Sequence, residues 1–400
     1  EIQDATPAAF AAHALNRAYY APSGDAKPAK GEQLRENGGL GSISEQIVDL
    51  RADVTLGGGA KYFDAEVKQG GKWGKDGNTW TAGKSVLDNA KDNGYQVVTK
   101  ASELNAISVA NSEKPVLGLF AGGNMPRVLS QTIPTVNGGN VAPAECVANP
   151  EFTAETPRLS AMTTKALELL QNDKGFLLQV ESASPDKADH QADACGLIGE
   201  VGQLDEAVQA VQNWVNKTQE PTLIVATADH AHTAQITYEG ANTAGRVTQL
   251  TTADGSTMAI NFATSKTNED ADALGGQKHT GSQLRVAASG PGAANLTGQI
   301  DQTDLFFASM NALGIDPINH GLTFENKMMK AEDKPADAKT DAKTDANGSS
   351  GSSAEGSSIS GSSVSSPIAA VILGILALLS VIALVAPFAV DDVLGPIAKL

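Results

Sequence analysis

The 400-residue chain has only two cysteines, Cys146 and Cys195. No framework of several disulfides can hold it, so the fold must rest on hydrophobic burial. It is also poor in basic residues: 29 Lys and Arg stand against 46 Asp and Glu, a net charge of −17. That balance argues against a nucleic-acid binder, which needs a basic face to displace phosphate counterions. Aromatics make up only 4%. The first residues lack an initiator Met, a basic stretch and an apolar signal region.

What is present falls into four parts. The length suits two ordinary domains or one large α/β domain with extensions, and it can bury a sizeable core. Residues 1–326 read as mixed and globular. Residues 327–366 run from an Ala-Lys-Thr-Asp repeat into Gly and Ser. Such a stretch lacks the apolar area to offset its ordering entropy and is expected to be a solvated tether, spanning roughly 35 Å as a random coil. The span 367–390 contains 23 residues, 368–390, without a charge. As a helix these would reach roughly 35 Å, enough to cross a hydrocarbon core of about 30 Å. The polar tail 391–400 continues beyond it, which disfavours a lipid-anchor signal. A single C-terminal transmembrane helix is therefore expected. An anchored ectodomain should have been exported, so the missing signal points to lost N-terminal sequence.

Within the globular part, apolar runs at 116–120, 176–180 and 223–226 read as buried strands. Between the last two, Leu197, Val201, Leu204, Val208, Val211 and Val215 recur at helical spacing and predict an amphipathic helix of about five turns. Further helices are expected over 157–170 and 304–313, the latter stopped by Gly314. This alternation predicts βαβ crossovers and a mainly parallel sheet covered on both faces.

The chemistry sits where these strands stop. The first ends in Glu181, followed by Ser184-Pro185, a good helix start with Ser184 as N-cap. Asp186 and His190 are four apart, so they share one face of that helix. The second strand ends in Asp229-His230-Ala231-His232. That rim is where α/β sheets bind ligands. A third piece, Lys278-His279, precedes a candidate strand over 284–288, which must approach from the opposite direction. Asp186, His190 and His279 form one N/O set with an open position suited to zinc, and Asp229 with His230 a partial second set. Two adjacent zinc ions are the usual apparatus for an in-line phosphoryl displacement. Glu181 and other hard oxygens suit magnesium.

Taken together, VESASPDKADH, ATADHAH, KHTGSQLR and IQDATPAAFAAH resemble blocks of the bacterial alkaline phosphatases, over residues 1 to about 313. The resemblance implies a three-layer α/β/α sandwich with a mostly parallel central sheet. It implies zinc at Asp186, His190 and His279, a second zinc at Asp229 and His230, and magnesium at Thr6 and Glu181 with Asp4 nearby. Arg17 matches the arginine that grips substrate phosphate, its planar fork fitted to two oxygens. Lys187 and His232 match positions behind the ligands. Cys146 and Cys195 match one disulfide of the family; the other pair is absent, Tyr19 standing in one such place. A bridge requires an oxidising compartment, which agrees with an anchored domain on the extracytoplasmic face. A homodimer and phosphate monoester substrates are also implied.

One departure stands out. Members of that family carry, ahead of the block matching Glu1, a strand with a metal-bridging Asp and a nucleophilic Ser. Neither is in this sequence, and no Gly-x-Ser-x-Gly turn replaces them in the globular part. The chain is expected to be N-terminally incomplete, to lack central strands of the sheet, and to be inactive alone, since covalent catalysis requires the Ser. A non-catalytic surface protein that binds metal or phosphate is the alternative. A sulfatase or phosphodiesterase relative fits less well, because Arg17 and the Thr6/Glu181 pair suit monoesters.

Overall fold

A computed structural model describes residues 1–74, 77–267, 276–315 and 380–385. In the N-terminal half, helix α1 (Ala5–Ala11) is followed by α2 (Ile43–Leu50), which opens on a capping box: the Ser42 hydroxyl accepts from the Glu45 N–H, and the Glu45 carboxylate accepts from the Ser42 N–H. Strand β1 (Val54–Gly57) comes next. A ribbon of β2 (Gly71–Trp73) and β3 (Asn78–Trp80), helix α3 (Val86–Asp92), β4 (Gln96–Val98), α4 (Ala101–Ala106) and β5 (Val116–Leu119) complete this half. The three apolar strands pair in parallel in the order β1-β5-β4. Every residue of β5 is buried, as a middle strand covered on both faces requires.

The C-terminal half repeats the logic with longer elements: α5 (Leu159–Leu170), β6 (Phe176–Glu181), α6 (Ser184–His190), α7 (Ala194–Thr218) and β7 (Thr222–Thr227). Phe176, Leu178 and Val180 alternate along β6 and pack against Ala166, Leu167 and Leu170 of α5 and Leu204, Ala207 and Val211 of α7. Each large side chain so buried stabilises the fold by about 1.5–3 kcal/mol. An antiparallel sheet of β8 (Ala234–Thr237), β9 (Arg246–Thr251) and β10 (Thr257–Phe262) is followed by β11 (Ala287–Ser289) and α8 (Asp304–Ala312). Ile224 of β7 joins the core under α5 and α7, while Leu223 and Val225 pack with Leu296 and with Ala308 of α8. Helices thus cover both faces of β7. Gly314, at φ +68°, ends α8 as expected.

Three expectations are corrected. Ser184 is not the N-cap of α6: Ala183 holds that position, and Ser184 is already helical with Pro185 behind it. Proline fits there because the first turn leaves its N–H groups unpaired anyway. The strand expected over 284–288 is short and later, Ala287–Ser289, though it does run antiparallel to β7. The sheet is mixed and divided rather than one mainly parallel layer. The bonded neighbours in β11-β7-β12-β6 are all antiparallel, where β12 is Ser380–Val385.

The expected transmembrane helix is described only in part. Ser380–Val385 lies inside the span 367–390 and is extended, with Ser380 opposite Glu181 on one side and Thr227 on the other. Hydropathy alone does not distinguish a spanning helix from a buried strand, and the β-branched Val381, Ile382 and Val385 favour a pleated surface. β6 and β7 are not bonded to each other, and β12 satisfies the backbone of both. Residues 367–379 and 386–390, like the tether 327–366 and the tail 391–400, lie outside the described residues. Among the described residues no helix is long and apolar enough to cross a membrane.

One gap remains. β1 and β6 are each the last strand of their sheet among the described residues. Both line the same cavity of about 560 Å³, along their full lengths, together with Ile2, Phe10, Ile47, Leu50 and Met162. Two strand edges with no bonded neighbour among the described residues therefore face one slot.

Candidate metal centre

The strand ends of β6 and β7 deliver their polar residues to one place. Asp186 and His190, one turn apart on α6, bring carboxylate and imidazole to 3.3 Å. The loop after β7 adds His230 and His232, and an antiparallel bridge between Ala231 and Thr280 draws His279 in from the far side. Four imidazoles then converge on one oxygen. His232, His279, His190 and His230 place Nε2 at 2.8, 3.0, 3.3 and 3.8 Å from Asp186 Oδ1. His190 and His279, 89 positions apart in the chain, meet at 2.9 Å between their Nε2 atoms. His230 stacks on His279 with ring centres 3.5 Å apart, and Asp229 reaches His230 at 3.4 Å.

The electrostatics follow from this crowding. Burial pushes the Asp186 carboxyl up, but the hydrogen bond from His232 and the charges of His190, His232 and Lys187 outweigh it and hold the group at about 2. The His279 imidazole is pushed below its ordinary value, first by desolvation and then by the neighbouring imidazoles. Such a cluster asks for a cation, because donors with lone pairs face one another at contact distance.

The donor set fits zinc. Zinc bonds of about 2.0–2.1 Å put neighbouring donors of a tetrahedron about 3.3 Å apart. Asp186 Oδ1, His190 Nε2 and His279 Nε2 form a triangle with sides of 3.3, 3.0 and 2.9 Å. Asp186, His230, His232 and His279 also offer ligand atoms all within 4.8 Å of one another. His230 Nδ1 is buried without a hydrogen-bond partner.

The remaining candidates lie beside this cluster. Asp4 accepts from the Tyr20 hydroxyl at 2.6 Å, from Lys187 Nζ at 2.9 Å and from Arg17 at 3.3 Å. Burial raises its carboxyl, but these three partners together hold it well below the usual carboxylate range. Arg17 is thus tied to Asp4, with its side chain 73% exposed, and is not drawn into the histidine cluster. Glu181 closes β6, and burial first of all, with Asp229 and Asp4 adding to it, pushes its carboxyl up to about 7. A desolvated acid of that kind suits a bound cation. Thr6 is half-buried in the first turn of α1, which packs on β6, and no hydrogen bond joins it to Glu181.

The structure also brings in residues that no sequence pattern marks. Gln277 is fully buried and contacts both His190 and His232. Asp193, also fully buried, caps α7 through the Gly196 N–H and binds Arg127 at 2.7 Å. Each is a single polar residue in a loop, with nothing periodic about its position. The bridge between Cys146 and Cys195 is formed and ties the 127–148 segment to the start of α7.

The sequence profile of the family described as "Alkaline phosphatase" matches residues 1–275. Alkaline phosphatase of Escherichia coli is 47% identical over 317 residues, 79% of this chain and 64% of its own length. Alkaline phosphatase H of Pseudomonas aeruginosa is 47% identical over 318 residues, 79% of this chain and 63% of its own length. Among solved structures, a cold-active alkaline phosphatase of a Shewanella species is 27% identical with a TM-score of 0.40, covering 59% of this chain and 43% of its own. The chain therefore spans a little under two thirds of the length of the curated relatives it matches. With that profile over more than half its residues and the histidine–carboxylate cluster at its strand ends, the chain belongs to the alkaline phosphatase family.

Proposed function

We propose that the protein hydrolyses phosphate monoesters with two zinc ions and one magnesium through a phosphoserine intermediate. The observation that carries this is the triangle of Asp186, His190 and His279, whose sides of 3.3, 3.0 and 2.9 Å come near the roughly 3.3 Å between donors of a tetrahedral zinc. Asp229 and His230 would hold the second zinc; Glu181 and Thr6, with Asp4 nearby, would hold magnesium. Bound, these ions supply Lewis acidity to the phosphoryl oxygens and the attacking and leaving groups. The chain's own residues orient and balance charge. His232 donates to Asp186 Oδ1 at 2.8 Å and fixes its carboxylate, and Lys187 pairs with Asp4 at 2.9 Å. Arg17 serves as the phosphate fork, leaving Asp4 for the substrate.

The 400 residues contain neither the nucleophilic Ser nor the bridging Asp that the resemblance implies, and we propose that by themselves they turn over no substrate. The slot between β1 and β6 supports this reading: Glu1 and Ile2 lie on its wall, so a strand entering there would pair with both edges and join the two sheets into one layer. The Cys146–Cys195 bridge supports an extracytoplasmic location for the domain. A homodimer is proposed from the family resemblance.

The test compares the 400-residue chain with the same chain extended upstream by its own reading frame, both loaded with zinc and magnesium. Only the extended chain should hydrolyse p-nitrophenyl phosphate. Robust metal-dependent turnover by the 400 residues would overturn the placement of the nucleophile. Failure of both chains to bind zinc would overturn the metal reading, and zinc binding without turnover in either would favour the non-catalytic alternative.

A further inference from the structure

We propose that Gln277 is a positioning residue that fixes the tautomers of two cluster histidines, aiming the His190 Nε2 lone pair at the metal position and the His232 Nε2–H at Asp186. Its main chain holds His190 at two points. The Gln277 N–H donates to the His190 carbonyl at 3.0 Å, and the Gln277 carbonyl lies 2.8 Å from His190 Nδ1. A carbonyl oxygen can only accept. His190 Nδ1 must therefore carry the hydrogen, and in the neutral ring Nε2 is left with its lone pair, facing Asp186 and His279.

The side chain decides the second ring. Asp189 Oδ1, a carboxylate acceptor, lies 3.2 Å from the Gln277 amide nitrogen, so that nitrogen faces Asp189 and, at 3.4 Å, His232 Nδ1, and Oε1 is left to accept from the Thr233 hydroxyl at 2.5 Å. An amide nitrogen can only donate. His232 Nδ1 then accepts, its hydrogen sits on Nε2, and that Nε2–H meets Asp186 Oδ1 at 2.8 Å. The opposite tautomer would set a lone pair against the carboxylate. His232 is thereby a donor behind the ligand set although its ring lies as near to Asp186 as any other. Groups that orient metal-ligating side chains in this way typically contribute ten- to hundredfold in metal affinity. Only the affinity arm of the proposal rests on the zinc reading.

The test is the near-isosteric Gln277→Glu, which puts an acceptor in place of the amide N–H₂, in the metal-free full chain labelled with ¹⁵N-histidine. Two-bond ¹H–¹⁵N spectra distinguish Nδ1–H from Nε2–H rings. The wild type is expected to show His190 as Nδ1–H and His232 as Nε2–H. In the variant His232 should acquire a hydrogen on Nδ1 while His190 stays unchanged, and zinc affinity, read by competition with a chromophoric chelator, should fall ten- to hundredfold. A wild-type spectrum with either ring in the other form overturns the proposal, and that spectrum decides the matter if the variant does not fold. A folded variant with an unchanged His232, or with a switched ring and unaltered zinc affinity, overturns it as well. A wild type that binds no zinc refutes the metal reading and leaves the tautomers to be judged by the spectra.

Discussion

Asp193 connects the metal cluster to the rest of the fold, and its replacement has a cost that can be worked out. Its carboxylate, fully buried, accepts from the Gly196 N–H at 3.0 Å, from the Thr132 N–H at 2.8 Å, from the Thr132 hydroxyl at 2.9 Å and from Arg127 at 2.7 Å. It sits three residues after His190, at the elbow between α6 and the 25-residue α7. Asp193→Ala leaves the part-buried Arg127 without its ionic partner, which typically costs about 3–5 kcal/mol, and removes an N-cap worth about 1 kcal/mol more. Asp193→Asn keeps an oxygen for the cap and for Thr132 but loses the charge opposite Arg127. Arg127 retains Gln191 Oε1 at 2.7 Å, so a smaller loss of about 1.5–3 kcal/mol is expected. Urea unfolding of the three chains, read as midpoint times slope, measures both differences. An alanine variant within 1 kcal/mol of wild type would show that the carboxylate does not hold the elbow. Equal losses for the two variants would show that cap and backbone acceptance contribute nothing beyond the ion pair.

Further outcomes follow from the same geometry. Replacing both Cys146 and Cys195 by Ala opens a loop of 49 residues, and unfolding stability should fall by up to about 4 kcal/mol in the chain-entropy account, checked by urea titration without reductant. His279→Ala removes one corner of the donor triangle and, on the proposed zinc reading, should weaken zinc by at least about tenfold in chelator competition, since each ligand carries a share of a large binding energy. Zinc affinity should fall as pH drops through the imidazole range. Asp186, held at about 2, keeps its charge there, and the stability it contributes is lost only as pH falls from its unfolded value toward that figure. Glu181 has the opposite sign. Its folded-state value of about 7 lies above the unfolded one, so the metal-free chain should lose stability as pH rises from about 4.5 to 7. Glu181→Gln should flatten that slope, and a slope of unchanged size in the variant would remove Glu181 as its source.

Local elements and the inventory of the site were legible in the order of residues. Apolar runs at 116–120, 176–180 and 223–226 became β5, β6 and β7 because a continuous β-rich run bounded by turns has few other low-energy outcomes. The i, i+4 pair of Asp186 and His190 landed on one helix face for the same local reason. The tertiary structure decided the rest. It brought His279 across some ninety positions to His190, and it placed Arg17 against Asp4 in place of the cluster. Residues 380–385, six of the 23 in the uncharged run, are a strand bonded to β6 on one side and β7 on the other. Which imidazole binds and which only donates depends on Gln277, a loop residue with no pattern to mark it, since a tautomer is set by whichever acceptor or donor the folded chain happens to bring within 3 Å.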